Sequence, residues 1–237
     1  MEIFIKAITF DFWNTLFVIP SDQCLSSKRI RDIGSVLKEV DLELPAEKVR
    51  EAFKYGWQQA WFKQRAFGEE ISPRGQVRYI IEKMGINISG EIEDKIYQVY
   101  TRALLQIPPL LNEGVRQTLP LLAEKFKLAV ICNTGATPGA VLREIVANEG
   151  LEEFFTVMIF SDEVGIAKPS PRIFEYTLEH LTIENHAAAH IGDDPITDVI
   201  GAKKAGMTAV WLAPEKEWKV PEADYHVRCV NELLTLF

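Results

Sequence analysis

Hydrophobic positions follow two different rhythms along this chain. The run Ile3-Phe4-Ile5-Lys6-Ala7-Ile8-Thr9-Phe10 is short and rich in β-branched and aromatic side chains, which predicts a buried strand ending at Asp11. From about residue 21 to residue 107 the apolar residues recur at helical spacing instead. Ile30, Ile33, Val36, Leu37 and Val40 mark one face; Val49, Phe53, Ala60 and Trp61 mark a second, after Pro45. Val77, Ile80, Ile81 and Met84 mark a third, and Ile92, Ile96, Val99, Ala103 and Leu104 a fourth. Four helices and no strand are predicted here, with Gly85 as a C-terminal stop and Pro108-Pro109 closing the last helix. The aromatic residues Tyr55, Trp57, Trp61, Phe62 and Phe67 are expected inside this helical bundle rather than around a ligand.

From residue 110 the rhythm alternates. A helix over 113–126 precedes the strand Leu128–Cys132; Thr137-Pro138 opens another helix before the strand Thr156–Phe160. Ser170-Pro171 starts a helix to about Leu181, with proline at a first-turn position where its missing N–H costs nothing. Strands follow at Ala187–Ile191 and Thr208–Leu212, with helix over 195–205 between them and a short closing strand near Tyr225–Val227. Such alternation implies right-handed crossovers and a parallel sheet. The fold class expected is therefore α/β: a doubly wound, Rossmann-like core from residues 1–17 and 110–237, with an all-helical domain, 18–109, inserted over the sheet's carboxyl edge.

Composition narrows the partners. The 237 residues are 47% hydrophobic, enough for a sizeable core, and carry a formal net charge of -8. An acidic chain without clustered Lys and Arg argues against a nucleic-acid partner, whose phosphates need neutralising. Any small anionic substrate would need local positive charge. Cys24, Cys132 and Cys229 show no metal-ligand spacing, as in a reducing cytosol, so a cytoplasmic location is expected. Neither a signal peptide nor a membrane-spanning run is evident.

The chemistry-bearing residues all stand just past strands. Asp11 follows the first, Asn133-Thr134-Gly135 the second, Lys168-Pro169 the third, and Gly192-Asp193-Asp194-Pro195-Ile196-Thr197-Asp198 the fourth. Carboxylates gathered around one ammonium suit a hard, oxygen-seeking cation such as magnesium. A carboxylate can also serve as a nucleophile when nearby positive charge offsets what develops on its partner. Blander roles exist for some of them. Asp194 before Pro195 suits a helix N-cap, Asp198 in a first turn suits the helix dipole, and Thr15 can satisfy a turn. His180, His186, His190 and His226 share no metal-like spacing, and His190 reads as a buried, hydrogen-bonded histidine.

These four motifs, in this order, resemble the haloacid dehalogenase-like hydrolase superfamily, in the branch with a helical cap between the first and second motifs. The likeness covers almost the whole chain. It implies a magnesium-dependent phosphatase in which Asp11 becomes aspartyl-phosphate. Thr15 and the backbone around Asn133 would hold phosphoryl oxygens, and Lys168 would offset the charge between Asp11 and the bound group. Magnesium would be held by Asp11, Asp193 and the carbonyl of Trp13. Asp194 would orient metal-bound water, and Asp198 would position Lys168. The substrate implied is a small phosphorylated metabolite.

Two positions depart from that pattern. The family's phosphatases carry an acid–base Asp where this chain has Trp13, and an indole cannot shuttle protons. The proton donor would then be water or a residue of the cap, with Glu69, Glu70 and Arg65 as candidates. Cys132 stands where the family has Ser or Thr, and a thiol is a weak donor; Thr134 could compensate. Trp13 also opens a second reading, since the dehalogenase branch has an aromatic residue there, needs no metal and lacks the Gly-Asp-Asp…Asp pattern. A third reading is a protein that kept the fold and a metal site but not turnover.

Overall fold

The computed structural model describes residues 5–213 and 220–237. The first strand, β1, spans Ala7–Phe10, so the predicted run from Ile3 lies partly outside the described residues. A two-residue strand, β2 (Phe17–Val18), leads into four helices: α1 (Asp22–Lys38), α2 (Ala46–Phe67), α3 (Pro73–Met84) and α4 (Gly90–Gln106). The strand β3 (Leu110–Leu111) pairs antiparallel with β2, so the chain leaves the helical segment beside where it entered.

After α5 (Val115–Ala123) the alternating part follows: β4 (Lys127–Cys132), α6 (Gly139–Asn148), β5 (Phe155–Phe160), α7 (Ser161–Val164) and α8 (Pro171–Leu181). It continues with β6 (Ala188–Gly192), a π-helical turn over Pro195–Ile200 running into α9 (Gly201–Lys204), β7 (Thr208–Leu212), β8 (Tyr225–Val227) and α10 (Leu233–Leu236). The helix expected over 113–126 is thus shorter, beginning after Gly114, and the 195–205 segment is helical only after a wider first turn.

Six strands form one sheet in the order β5-β4-β1-β6-β7-β8, and every neighbouring pair is parallel. The chain fills one side of β1 with β4 and β5, then crosses to fill the other with β6, β7 and β8. Open sheets of this kind bind ligands at the carboxyl ends of strands beside such a reversal. Both faces are covered, as the near-continuous apolar strands require. Ile8, Leu128 and Val130 face α5 and α6 through Leu119, Leu122, Leu142 and Ile145. Ala7, Ala129 and Ile131 face the opposite layer with Ile173, Phe174, Leu178 and Ala202.

The four helices have a core of their own, built from Ile33, Leu37, Val77, Ile80, Met84, Ile96 and Tyr100, and it includes Ala136 from the loop after β4. Gly56 is where α2 and α3 come closest: a Cβ there would lie 2.8 Å from Ile80 and 3.0 Å from the Gln76 carbonyl. The aromatic cluster is a correction to the sequence reading. Trp57 and Trp61 are 45% and 48% exposed, and Phe62 and Phe67 are exposed too. The buried stripe of α2 is Val49, Ala52, Phe53, Gly56, Ala60 and Gln64, and Trp57 and Trp61 sit one position beyond it. Val40 is likewise exposed, because α1 ends at Lys38.

Candidate active site

Parallel pairing brings the ends of β4, β1 and β6 side by side, and with them Asn133, Asp11 and Asp193. Lys168 arrives from the segment after β5 and is 1% exposed. Its Nζ donates to Asp11 Oδ1 at 2.5 Å and lies 2.7 Å from Asp198 Oδ1. Its main chain is clamped by Asn133, whose Nδ2 donates to the Lys168 carbonyl at 2.8 Å while Oδ1 accepts the Lys168 N–H at 2.7 Å. The Lys168–Pro169 peptide is cis. Asp198 is fully engaged: Oδ2 accepts the Asp194 N–H at 2.9 Å, and Oδ1 also meets His190 Nε2 at 3.4 Å. His190 is held from behind by Thr9 at 2.8 Å. It is the buried, hydrogen-bonded histidine that the sequence indicates.

Carboxylate oxygens of Asp11, Asp193 and Asp198 come within 4.8 Å of one another. Three carboxylates face one ammonium there, and the imbalance shows in their protonation. Burial, only partly offset by Lys168 and reinforced by Asp198 and Asp193, pushes Asp11 up to about 8. Burial and then Asp198 push Asp193 up to about 6. Burial would raise Asp198 as well, but Lys168 overcomes it and holds that carboxyl well below the usual range. Burial acts to lower Lys168, and Asp11 and Asp198 overcome it, so the ammonium is held charged.

The remaining expected residues divide. Thr15 is fully buried, and its hydroxyl has no hydrogen-bond partner among the described residues. Such an orphan costs about 1–3 kcal/mol unless something fills it. Thr134 is buried with its hydroxyl 3.1 Å from Ser161 Oγ, which also accepts the Thr134 N–H at 2.8 Å. Asp194 caps the following helical turn, its Oδ1 accepting from Ile196 and Thr197 N–H. Its Oδ2 receives Arg65 at 2.5 Å, so the structure groups Asp198, not Asp194, with Asp11 and Asp193. Trp13 is half-buried, its ring edge-on to Phe12 at 4.8 Å. Cys132 is buried, and burial pushes its thiol well above its usual value, as in a small core residue.

Of the three candidate proton carriers, Arg65 is committed to Asp194 and Glu69 is an exposed partner of Lys63. Glu70 is different: burial pushes it up to about 8, and Oε1 has no hydrogen-bond partner among the described residues. Its Oε2 accepts from Gln64 Nε2 at 2.7 Å, and that nitrogen also reaches the Thr134 carbonyl at 2.7 Å. Asn14, missed in the sequence, donates to Asp193 Oδ2 at 3.1 Å from a left-handed backbone (φ 55°). An Asn just past a nucleophile candidate is the usable signal, because Asn tolerates that conformation.

A cavity of about 580 Å³ opens beside this centre. Trp13, Asn133 and Thr134 form its inner end; Arg29, Trp57, Trp61 and Gln64 contribute from the helices. Several hydrogen bonds cross between the two regions, including Gln76 Nε2 to the Gly135 carbonyl at 3.0 Å and Ala167 N–H to the Gly68 carbonyl at 2.8 Å. Among the described residues no helix is long and apolar enough to cross a membrane.

Residues 5–206 match the family model described as haloacid dehalogenase-like hydrolase. The chain is 36% identical over 115 residues to a phosphoserine phosphatase of Thermus thermophilus, covering 48% of this chain and 45% of that protein. A glyceraldehyde 3-phosphate phosphatase of Pyrococcus abyssi is 34% identical over 100 residues, 42% of this chain and 41% of the relative. The chain thus spans about half or less of the length of these curated relatives. Among solved structures, a 2-haloacid dehalogenase of Pseudomonas syringae superposes with a TM-score of 0.72 at 26% identity, covering 98% of this chain and 97% of that one. The magnesium-bound hydrolase YfnB of Bacillus subtilis shares the fold, with a TM-score of 0.65 at 20% identity and 98% coverage of both chains. With the family model spanning most of its length and a buried Asp–Lys–Asp centre at the carboxyl edge of its sheet, the chain belongs to the haloacid dehalogenase-like hydrolases.

Proposed function

We propose that the protein is a phosphatase acting through an aspartyl-phosphate on Asp11, with residues 18–109 serving as a cap over a core of 1–17 and 110–237. The observation that carries this is the buried Lys168 bridge between Asp11 and Asp198. Asp11 Oδ1 is occupied by Lys168, whereas Oδ2 accepts no hydrogen bond among the described residues. A carboxylate oxygen of Asp11 attacks phosphorus, the bond from phosphorus to the ester oxygen breaks, and that oxygen leaves as alkoxide or phenoxide with the electron pair, taking its proton from solvent water. Water then cleaves the acyl phosphate, returning the carboxylate and releasing phosphate. Lys168 compensates the negative charge throughout, Asp198 and His190 set its position, and Asn133 holds its backbone. The orphan hydroxyl of Thr15 supports a role in holding a phosphoryl oxygen.

The donor set fits a divalent cation of the magnesium type: hard oxygens, close together, whose negative charge exceeds what one lysine offsets. Asp11, Asp193 and the main-chain carbonyl of Trp13 would hold it, with Asn14 orienting Asp193. When bound, such an ion supplies charge neutralisation at the phosphoryl oxygens. Trp13 supplies no proton, so substrates whose leaving group needs none, aryl and acyl phosphates, are favoured over alkyl phosphates.

The likeness to a 2-haloacid dehalogenase, together with Trp13, keeps one other reading in view, attack of Asp11 on carbon with loss of halide. The Asp193 carboxylate beside Asp11 weighs against it, because added negative charge with no cation hinders displacement of an anion. A panel of phosphate esters and 2-haloacids, with and without magnesium, separates the readings. Phosphate release that depends on metal is expected. Halide release without metal would replace the proposal, and silence on every compound would leave a binding protein of the same fold.

A further inference from the structure

Arg29, on α1, is 7% exposed, and no carboxylate among the described residues lies within ion-pair distance of it. A guanidinium does not shed its proton in a protein, so this is a buried cation without an ion-pair partner, lying 5.6 Å from the centroid of the Tyr100 ring. Burial lowers its pKa, with only partial opposition from Tyr100 and Asp22. Its Nε donates to the Tyr100 carbonyl at 2.9 Å and one terminal nitrogen to Thr137 Oγ1 at 2.8 Å. Of the five N–H groups on a guanidinium, the rest remain for a ligand, and Arg29 lines the 580 Å³ cavity.

The rest of the cavity wall fits an anion with an apolar body. Its charged side chains are Arg29, Lys54 and Asp22, a net positive lining in a chain of net charge -8. Lys54 has no ion-pair partner among the described residues either. Trp57 and Trp61 stack on one another, their ring centroids 6.2 Å apart and their planes at 22°, and both line the cavity while remaining about half exposed. Their apolar ring faces offer a flat platform. The volume suits one small molecule. Trp13 and Asn133 join the cavity to the Asp11–Lys168 centre, which itself lies outside the lining.

Resting on the phosphatase reading, we infer that the substrate carries a second anionic group, of carboxylate type, at the end of a planar or apolar body remote from its phosphoryl group. The phosphoryl group meets Asp11 and Lys168, the body lies against Trp13, Trp57 and Trp61, and the carboxylate pairs with Arg29.

Binding of non-hydrolysable analogues tests this directly. 4-Carboxyphenylphosphonate and its uncharged isostere 4-carbamoylphenylphosphonate are compared by calorimetry on the whole chain with magnesium present. A charge-assisted pair predicts that the carboxylate binds at least about tenfold tighter. That preference disappears in Arg29→Met and widens in Asp22→Asn, which removes the cavity's one anion. Equal binding of the two ligands to wild type, or a preference that survives Arg29→Met, overturns the inference. Should Arg29→Met fail to fold, an unchanged preference in Asp22→Asn does the same. Phenyl phosphate hydrolysis, run in parallel, keeps the two readings apart. Preference in binding without turnover sinks the phosphatase and leaves the pocket, whereas turnover without preference sinks the pocket alone.

Discussion

The carboxyl edge of the sheet and the helical wall facing it treat charge in opposite ways. At the edge the buried charges are knit together: Lys168 joins Asp11 to Asp198, Asp198 meets His190, and Asn14 steadies Asp193. Across the cavity, Arg29 is buried with hydrogen bonds but no ion-pair partner among the described residues, and two tryptophans stand half exposed. A network that satisfies itself positions atoms for chemistry. A wall that holds a cation without an ion-pair partner and keeps aromatic rings half exposed has room for something to complete it. On the proposed reading, the sheet builds the reaction centre and the helices supply the selectivity.

The sharpest way to break that division is at Asp11. Asp11→Asn removes the nucleophile, and phosphate release should fall by on the order of 10⁴-fold or more. Because the change also relieves carboxylate crowding, thermal unfolding should show no loss of stability. A destabilised variant would mean that the charge network, not the attack, needs the carboxylate. Next comes Trp13→Asp, which should raise turnover of alkyl phosphates by up to about 10²–10⁴-fold and that of aryl phosphates far less. An equal gain on both classes would show that proton supply was not the deficit.

Stability experiments separate the two regions further. Lys168→Met leaves Asp11 and Asp198 buried without their shared partner and should cost about 3–5 kcal/mol in denaturant unfolding measured without metal. On the helical side, Phe53→Ala empties a core position for about 3–5 kcal/mol, whereas the half-exposed Trp61→Ala should cost under about 1 kcal/mol. Comparable losses at Phe53 and Trp61 would place the tryptophan in the core after all.

The smallest effect concerns Glu70, whose pKa rises on folding from the ordinary carboxyl range to about 8. Its protonated form is the one the fold prefers. This contribution is fully present below the unfolded-state pKa near 4.5 and is lost as pH rises toward 8. Glu70→Gln should flatten that loss, so the variant gains a few degrees in melting temperature over wild type at pH 8–9 and little at pH 5. A constant difference across that range would remove Glu70 from the titration.

Much of the architecture could be read from periodicity. The four helices between β2 and β3, the strand–helix alternation that implies a parallel sheet, and the closing strand at Tyr225–Val227 all follow from local patterns. Asp11, Lys168 and Asp198 could be picked out because each follows a strand that a parallel sheet must bring to one edge. Asn14 and Arg29 could not. One depends on a left-handed turn, and the other is an arginine at a helical position like many on exposed faces. The aromatic residues of α2 misled for a related reason, since the apolar stripe of a helix is wide enough to admit Trp57 and Trp61 or to exclude them.

What the order of residues settled alone is which groups could do chemistry and in which elements they lie, because helix and strand periods and strand-end positions are local properties. What only packing in three dimensions decided is which charges find partners. Asp194 went to Arg65 and a helix cap, Asp198 to Lys168, and Arg29 to no carboxylate among the described residues. Those outcomes depend on distances of a few ångströms between segments far apart in the chain, and burial turns each such distance into a large difference in electrostatic energy.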